Sequence, residues 1–191
     1  MRYRRRLLKS NGMTISVVRG FTLIELMVTI AVMAILLAVA IPSFNDVLLG
    51  NKLTAHANNL VASTFIARSE AIKRNVAVTL CASSDGANCA TSGGWEQGWI
   101  VACKTTDNAS CDSIGPGWIV LQRQQAASSG LKISESGANL SLSFSPTAVG
   151  TTQAALTVCR ATPTVGGQER VVDISATGRA TVRKTSNAAC S

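Results

Sequence analysis

The hydrophobic and polar positions divide the 191-residue chain into four segments of different character. A basic segment of twenty residues is followed by an almost uninterrupted apolar run from Phe21 to Ile41. From Pro42 to Arg74, apolar residues recur every three or four positions, which is the period of one face of an α-helix. After Asn75 this period gives way to short β-type runs separated by turn-forming residues. The pattern therefore predicts a long helix followed by a sheet-forming domain.

The helix is predicted to cover residues 21–74. A helix of that length rises about 80 Å, whereas the hydrocarbon core of a bilayer is about 30 Å thick. We therefore expect residues 21–41 to span a membrane and residues 42–74 to form an amphipathic spine. Pro42 and Gly50 predict a kink or local melting between the two parts. The stripe expected to face the domain consists of Leu53, Ala57, Leu60, Thr64, Ala67 and Ala71, widened by Val61, Phe65 and Ile72.

Residues 75–191 are predicted to form one β-rich globular domain. Its short strands follow one another without helices between them, which is typical of an antiparallel sheet. The helix stripe would pack on one face of that sheet, giving an α+β fold. Trp95, Trp99 and Trp118 are expected to pack in the core or under loops. The predicted strands are 76–82, 98–104, 118–122, 131–133, 140–144, 155–161, 170–175 and 179–184.

The positive charge of the chain is concentrated at its start. The formal net charge is +8, but six of the eighteen basic residues and no acidic residue lie in the first twenty positions. The rest of the chain is close to neutral, so composition does not predict a general nucleic-acid surface. Basic residues before an apolar run keep the N-terminus in the cytoplasm. We therefore expect an inner-membrane protein with a periplasmic C-terminal domain.

All the cysteines follow the apolar run, and an even number on the exported side indicates disulfides. Six cysteines allow fifteen pairings. A zinc site is the alternative, but no C-x-x-C is present, and the only histidine, His56, is predicted to lie on the helix. We therefore expect no metal. The local spacing favours the bonds Cys81–Cys89, Cys103–Cys111 and Cys159–Cys190.

A single carboxylate, Glu25, interrupts the apolar run. An ionised side chain at bilayer depth costs several kcal/mol, roughly, and usually has a partner and a function. Cleavage between Gly20 and Phe21 would create such a partner, because the new α-amine of Phe21 would lie four residues before Glu25. An amine and a carboxylate from neighbouring copies could then pair. A lone acid that snorkels to the interface is the alternative.

A secretory signal peptide is a second interpretation of the same run. Ala38-Val39-Ala40 resembles a signal-peptidase site, and cleavage there would release a protein that begins at Ile41. Glu25 would then have no role within the apolar core, and the helical pattern continues past Ala40. Both features favour an anchor.

Three segments resemble one known family. The motif Gly20-Phe21-Thr22-Leu23-Ile24-Glu25, with its basic leader and apolar run, resembles the processing site of type IV pilins and pseudopilins. Within that superfamily the chain is similar to the FimT/GspH-type minor pilins, also called H-type pseudopilins. The segments that carry this second resemblance are 67–75, 78–81 and 95–101.

The resemblance implies a type IV pilin-like fold and a route of assembly. A prepilin peptidase would remove the cytoplasmic leader, residues 1–20, and Phe21 would be N-methylated. An inner-membrane assembly platform would then insert the subunit among other minor and major pilins. The subunit would prime or cap a type IV pilus that serves assembly, twitching or DNA uptake. The alternatives are a DNA receptor in natural transformation and an H-type pseudopilin of type II protein secretion.

The C-terminal part contains a candidate DNA site. Arg179, Thr181 and Arg183 are predicted to share one face of a strand, with Lys184 at its rim. Some FimT-like proteins bind double-stranded DNA through a Gly-Arg-x-Arg stretch. This chain matches Gly178 and Arg179 but has Thr181 in place of the second arginine. A charged strand that protects a sheet edge or contacts another subunit is the alternative.

The chain has no sequence feature of an enzyme. It contains one histidine, no nucleophile motif and no phosphate-binding glycine loop. We therefore expect no catalysis and no cofactor.

Overall fold

The computed structural model describes residues 20–104, 111, 117–147, 151–161 and 168–185. The leader, residues 1–19, and Cys190 lie outside the described residues. One helix, α1 (Leu23–Arg74), precedes all the described strands, with a 3₁₀ turn at Trp95–Gln97. The strands are β1 (Val78–Ala82), β2 (Trp99–Lys104), β3 (Trp118–Gln124), β4 (Leu131–Glu135), β5 (Ser141–Phe144), β6 (Ala154–Arg160), β7 (Glu169–Ile174) and β8 (Ala180–Thr185). Each predicted strand is therefore confirmed to within about two residues at either end.

The chain divides into two compact units, Met1–Ser43 and Phe44–Ser191. In the first unit, every residue from Gly20 to Ile41 is exposed. The second unit contains the rest of α1 and the eight described strands. Helical structure continues across Pro42 and Gly50, which argues against local melting there. The predicted kink stays a prediction.

The strands form two antiparallel sheets, so the expectation of a single sheet was wrong. The first sheet has the order β3-β2-β1-β5, and the second has the order β4-β6-β7-β8. The division arises because β1 pairs with β2 on one side and with β5 on the other, while β4 pairs with β6. Alternation of apolar residues predicts strands, but it does not state which strands pair.

The core lies between the buried stripe of α1 and the two sheets. Ala57, Ala67 and Ala71 are fully buried. Leu53 and Leu60 are buried on the same stripe, where each stabilises the fold by about 1.5–3 kcal/mol relative to exposure. The predicted stripe is confirmed. The sheet residues in this core include Val78, Leu80, Val101, Leu142, Phe144, Leu156, Val158 and Val172.

The predicted widening of the stripe was partly wrong. Val61 is partly buried against the core, but Phe65 and Ile72 remain about half exposed, at 52% and 50%. Both lie on the side of α1 that points away from the sheets, because the sheets cover only part of the helix circumference. Their exposure leaves apolar surface on the spine.

Two tryptophans anchor the core as expected. Trp95 and Trp99 are each 1% exposed. The indole nitrogen of Trp99 donates a hydrogen bond to the hydroxyl of Ser63 on α1, at 2.9 Å, and that of Trp95 donates to the carbonyl of Asn139, also at 2.9 Å. Trp118 is instead partly buried in a smaller cluster with Ile100 and the Cys81–Cys89 bond.

The disulfides follow the predicted short loops. Cys81 is bonded to Cys89 and Cys103 to Cys111, which confirms both pairs. Cys159 is disulfide-bonded as well, while its predicted partner lies outside the described residues. The first bond closes a loop that Asp85 organises, since its carboxylate accepts hydrogen bonds from Ser83, Ala87 and Asn88. These bonds, above all the one from the Asn88 side chain, hold the pKa of Asp85 far below its ordinary value.

Candidate functional site

The predicted cleavage site is accessible. Gly20 is exposed, and among the described residues no group other than its chain neighbours lies within 4 Å of the position that a Cβ would occupy. Phe21 is 82% exposed, and helical structure begins only at Leu23. A protease that acts on extended backbone could therefore reach the bond between Gly20 and Phe21.

Glu25 lies in the first turn of α1 and bonds to Thr22. The backbone N–H of Thr22 donates to the Glu25 carboxylate at 3.2 Å, and the N–H of Glu25 donates to the Thr22 hydroxyl at 3.3 Å. This reciprocal pair is a capping box, which satisfies two backbone donors at the helix start. This capping box was not predicted, although its signal, Thr-x-x-Glu, is present in the sequence. In the uncleaved chain, the helix cap therefore occupies Glu25.

The outward side of α1 in the second unit presents a continuous stripe, here called the spine face. The spacing of its members places them within about 100° of the helix circumference, opposite the buried stripe. All of these side chains are exposed and uncharged, and most are small. The spine face consists of Asn51, Ala55, Asn58, Ala62, Phe65, Ser69 and Ile72. Small side chains around two exposed apolar ones suit close packing against another helix.

The N-terminal part of α1 is suited to a membrane. The helix is long and apolar enough to cross a bilayer. The residues of its most apolar stretch are not buried by the rest of the structure. Its exposed side chains include Leu23, Ile24, Leu26, Met27, Ile30 and Ile35. Such a surface requires lipid or other apolar helices around it.

The structure pairs one of the candidate DNA-binding cations with an acid. The Nε of Arg183 lies 2.6 Å from the Oδ2 of Asp173 on the neighbouring strand, and its Nη2 lies 3.4 Å from Oδ1. This two-point contact raises the pKa of Arg183, chiefly through the hydrogen bond and secondarily through the negative charge. The negative charge of Asp173 therefore offsets the positive charge of Arg183, which a DNA phosphate would otherwise contact.

The other two cations lie on different faces. Arg179 precedes β8 and lines a shallow hollow with Thr181 and Asp173. Lys184 lies directly opposite Arg170 on β7 and lines a different hollow beside α1. Strand alternation places Thr181 and Arg183 on one face, as predicted, and Lys184 on the other. The three cations therefore do not form one patch.

Two family models match the chain. Residues 56–178 match the family described as type II transport protein GspH, which is more than half of the chain. Residues 15–41 match the prokaryotic N-terminal methylation motif, which contains Gly20, Phe21 and Glu25. No curated protein matches the chain significantly.

Two solved structures of bacterial filament subunits are similar to the chain. One is the type IV minor pilin FimU of Pseudomonas aeruginosa strain PAO1, with 25% identity and a TM-score of 0.50. The similarity covers 70% of this chain and 89% of that one. The other is the minor pseudopilin EpsH from the type 2 secretion system of Vibrio cholerae, with 13% identity and a TM-score of 0.48. That similarity covers 71% of this chain and 97% of the other.

Proposed function

The chain belongs to the GspH family of type II transport proteins, and from this premise we propose that it is a minor pilin that primes or caps a type IV pilus. The family and the N-terminal methylation motif make it a minor pilin or pseudopilin, and such proteins are structural subunits. The observation that supports a pilus is the similarity to FimU, a type IV minor pilin, at 25% identity over 89% of that chain. The type II secretion pseudopilus is the alternative host.

The test of this proposal is a deletion strain complemented with the wild-type gene. We expect fewer surface pili and weaker twitching, with protein secretion unchanged. Loss of secretion alone, with normal pili, would contradict the pilus assignment and place the subunit in a secretion pseudopilus. Loss of transformation with normal pili would instead favour the DNA-receptor role.

Two surfaces of α1 support a role in assembly. The exposed apolar helix in the first unit and the spine face in the second are both surfaces that a filament of packed helices would bury. A prepilin peptidase that cleaves after Gly20 would free the amine of Phe21, and methylation would follow there. We propose that Glu25 of one subunit then pairs with the amine of Phe21 in a neighbouring pilin.

Phe65→Arg is expected to reduce recovery of the subunit in sheared pili by at least about tenfold, because packing would bury an unpaired guanidinium. The domain itself should keep its stability to within about 0.5 kcal/mol, since Phe65 is half exposed and supports little of the core. Immunoblots of sheared and cell-bound fractions measure the first effect, and thermal unfolding measures the second.

Val182→Arg is the matched control for Phe65→Arg. Val182 is also an exposed apolar residue, at 41%, but it lies on β8 rather than on the spine face. We expect normal incorporation of this variant. Equal incorporation of both variants would contradict the proposal that the spine face packs against neighbouring helices.

DNA capture receives less support from the geometry than from the sequence. Arg183 is paired with Asp173, and Lys184 lies on the opposite face of β8, so Arg179 alone remains on the predicted surface. One cation per subunit provides only weak and strongly salt-dependent affinity for phosphate. We therefore rank the DNA-receptor role below filament assembly.

A further inference from the structure

A polar hollow of about 490 Å³ lies in the second unit, between the early part of its helix and the strands β7 and β8. Asp46, Gly50 and Asn51 line it from α1, and Gln168, Arg170 and Lys184 line it from the sheet side. A Cβ at Gly50 would lie only 3.1 Å from the amide oxygen of Gln168, so glycine keeps this wall open. Of these residues, only Asn51 also belongs to the spine face.

Two like charges face each other across the strands in this hollow. Arg170 and Lys184 are direct partners in the β7–β8 register, and like charges in that position destabilise a sheet unless something neutralises them. Within the described part of the chain, neither cation forms an ion pair. Nη1 of Arg170 donates to the carbonyls of Gln168 and Glu169. The pair therefore has the capacity to bind an anion.

The chain tethers this hollow close to the end of the apolar run. Asp46 follows Ile41 by five residues, which span about 8 Å as a helix and at most about 18 Å when extended. The headgroup layer extends about 5–8 Å beyond the hydrocarbon core on each side of a bilayer. When the apolar run spans a membrane, the rim of the hollow is therefore within reach of the headgroups.

We propose that this hollow binds the headgroup of a membrane phospholipid, with the phosphate held between Arg170 and Lys184. A guanidinium presents parallel donors that match phosphate oxygens, and an ammonium adds a second positive charge. Asp46 could accept hydrogen bonds from the ammonium of an ethanolamine headgroup. The inference rests on the membrane anchor of the proposed function but not on the type of filament. It assigns a site that holds the subunit at the membrane surface before assembly.

The experiment compares the reactivity of lysines in detergent and in vesicles. The full chain is reconstituted into vesicles of phosphatidylethanolamine and phosphatidylglycerol, treated with N-hydroxysuccinimidyl acetate and analysed by mass spectrometry. We expect acetylation of Lys184 to slow by about fivefold in vesicles, the effect of one cation held at an anionic surface. Lys73, near the C-terminal end of α1, should slow only by the fraction of domains enclosed in the vesicle lumen, so its rate corrects the rate of Lys184 for that fraction.

Variants assign the protection to the hollow. Arg170→Gln should abolish most of the protection at Lys184, whereas Arg123→Gln, which changes an exposed arginine in the other sheet, should leave it intact. Asp46→Asn should reduce protection in phosphatidylethanolamine vesicles and not in vesicles of phosphatidylglycerol alone. Equal slowing at Lys184 and Lys73 would overturn the proposal, because it indicates general shielding.

Three further outcomes would overturn the headgroup site in distinguishable ways. Protection by inorganic phosphate in detergent would make it a site for free anions, and protection that rises with protein concentration would assign it to a second copy. Flotation of the chain together with the vesicles shows, independently of Lys184, whether the apolar run anchors the chain in the membrane. A chain that floats with Lys184 unprotected lacks the site, whereas a chain that does not float lacks the anchor on which the site depends.

Discussion

Glu25→Ala is expected to leave cleavage after Gly20 intact and to lower the amount of subunit in sheared pili by at least about a hundredfold. Removing one partner of a buried ion pair costs roughly 3–5 kcal/mol, because the other charge stays buried alone. In the filament that other charge would be the amine of Phe21 from a neighbouring pilin. The measurement is an immunoblot of sheared pili and membranes, with the mature N-terminus sequenced to verify processing.

Glu25→Gln separates the charge from the helix cap. In the structure Glu25 accepts a hydrogen bond from Thr22, and glutamine serves the same role in a capping box. If pairing with the amine is essential, the Gln variant should fail to assemble as the Ala variant does. If it assembles like wild type, the capping box explains the carboxylate at this position and the ion pair between subunits is refuted.

The two interactions of Glu25 belong to different stages. Before cleavage, Phe21 carries a peptide nitrogen without charge, and the carboxylate caps its own helix. After cleavage, a positive amine would appear one residue before Thr22. An amine is a stronger partner than a backbone amide, because both groups then carry a charge and their Coulomb attraction adds to the hydrogen bond. Cleavage thus could change the partner of Glu25 without any movement of the domain.

The sequence predicted those features that depend on neighbouring residues. Apolar residues at helical spacing identified the buried stripe from Leu53 to Ala71, and turn-forming residues delimited each of the eight strands. The two disulfides that close short loops were also predictable, because Cys81–Cys89 and Cys103–Cys111 are each separated by eight positions. In each case the pattern that permits the prediction involves residues only a few positions apart in the sequence.

Features that depend on strand pairing were not predictable. Asp173 neutralises Arg183 only because β7 and β8 are adjacent in a particular register. The same register places Lys184 beside Arg170, on the face opposite to the one that carries Thr181. The sequence shows that Asp173 and Arg183 are ten positions apart but does not show their contact. The pairing of Arg183 and the hollow that contains Lys184 were therefore not foreseen, and DNA binding at this strand stays a prediction.

Trp99→Ala is expected to destabilise the domain by about 3–5 kcal/mol, which is the usual cost of removing a buried tryptophan. Trp99 is 1% exposed, and its loss would also leave the hydroxyl of Ser63, itself fully buried, without its partner. Since domains of this size have a total stability of about 5–15 kcal/mol, much of the protein should be lost to proteolysis in cells. Thermal unfolding of the full chain in mild detergent, followed by circular dichroism, measures the effect.

A double-mutant cycle tests whether the bond between Trp99 and Ser63 joins α1 to the first sheet. Ser63→Ala and Trp99→Phe each leave one buried polar group unpaired, so each should cost about 1–3 kcal/mol. The double variant leaves neither group unpaired, and it should be more stable than the sum of the single effects predicts by about 0.5–3 kcal/mol. Strict additivity would refute the coupling and assign the cost of Trp99→Ala to lost packing alone. A positive coupling would mean that this buried hydrogen bond contributes to holding α1 against the first sheet.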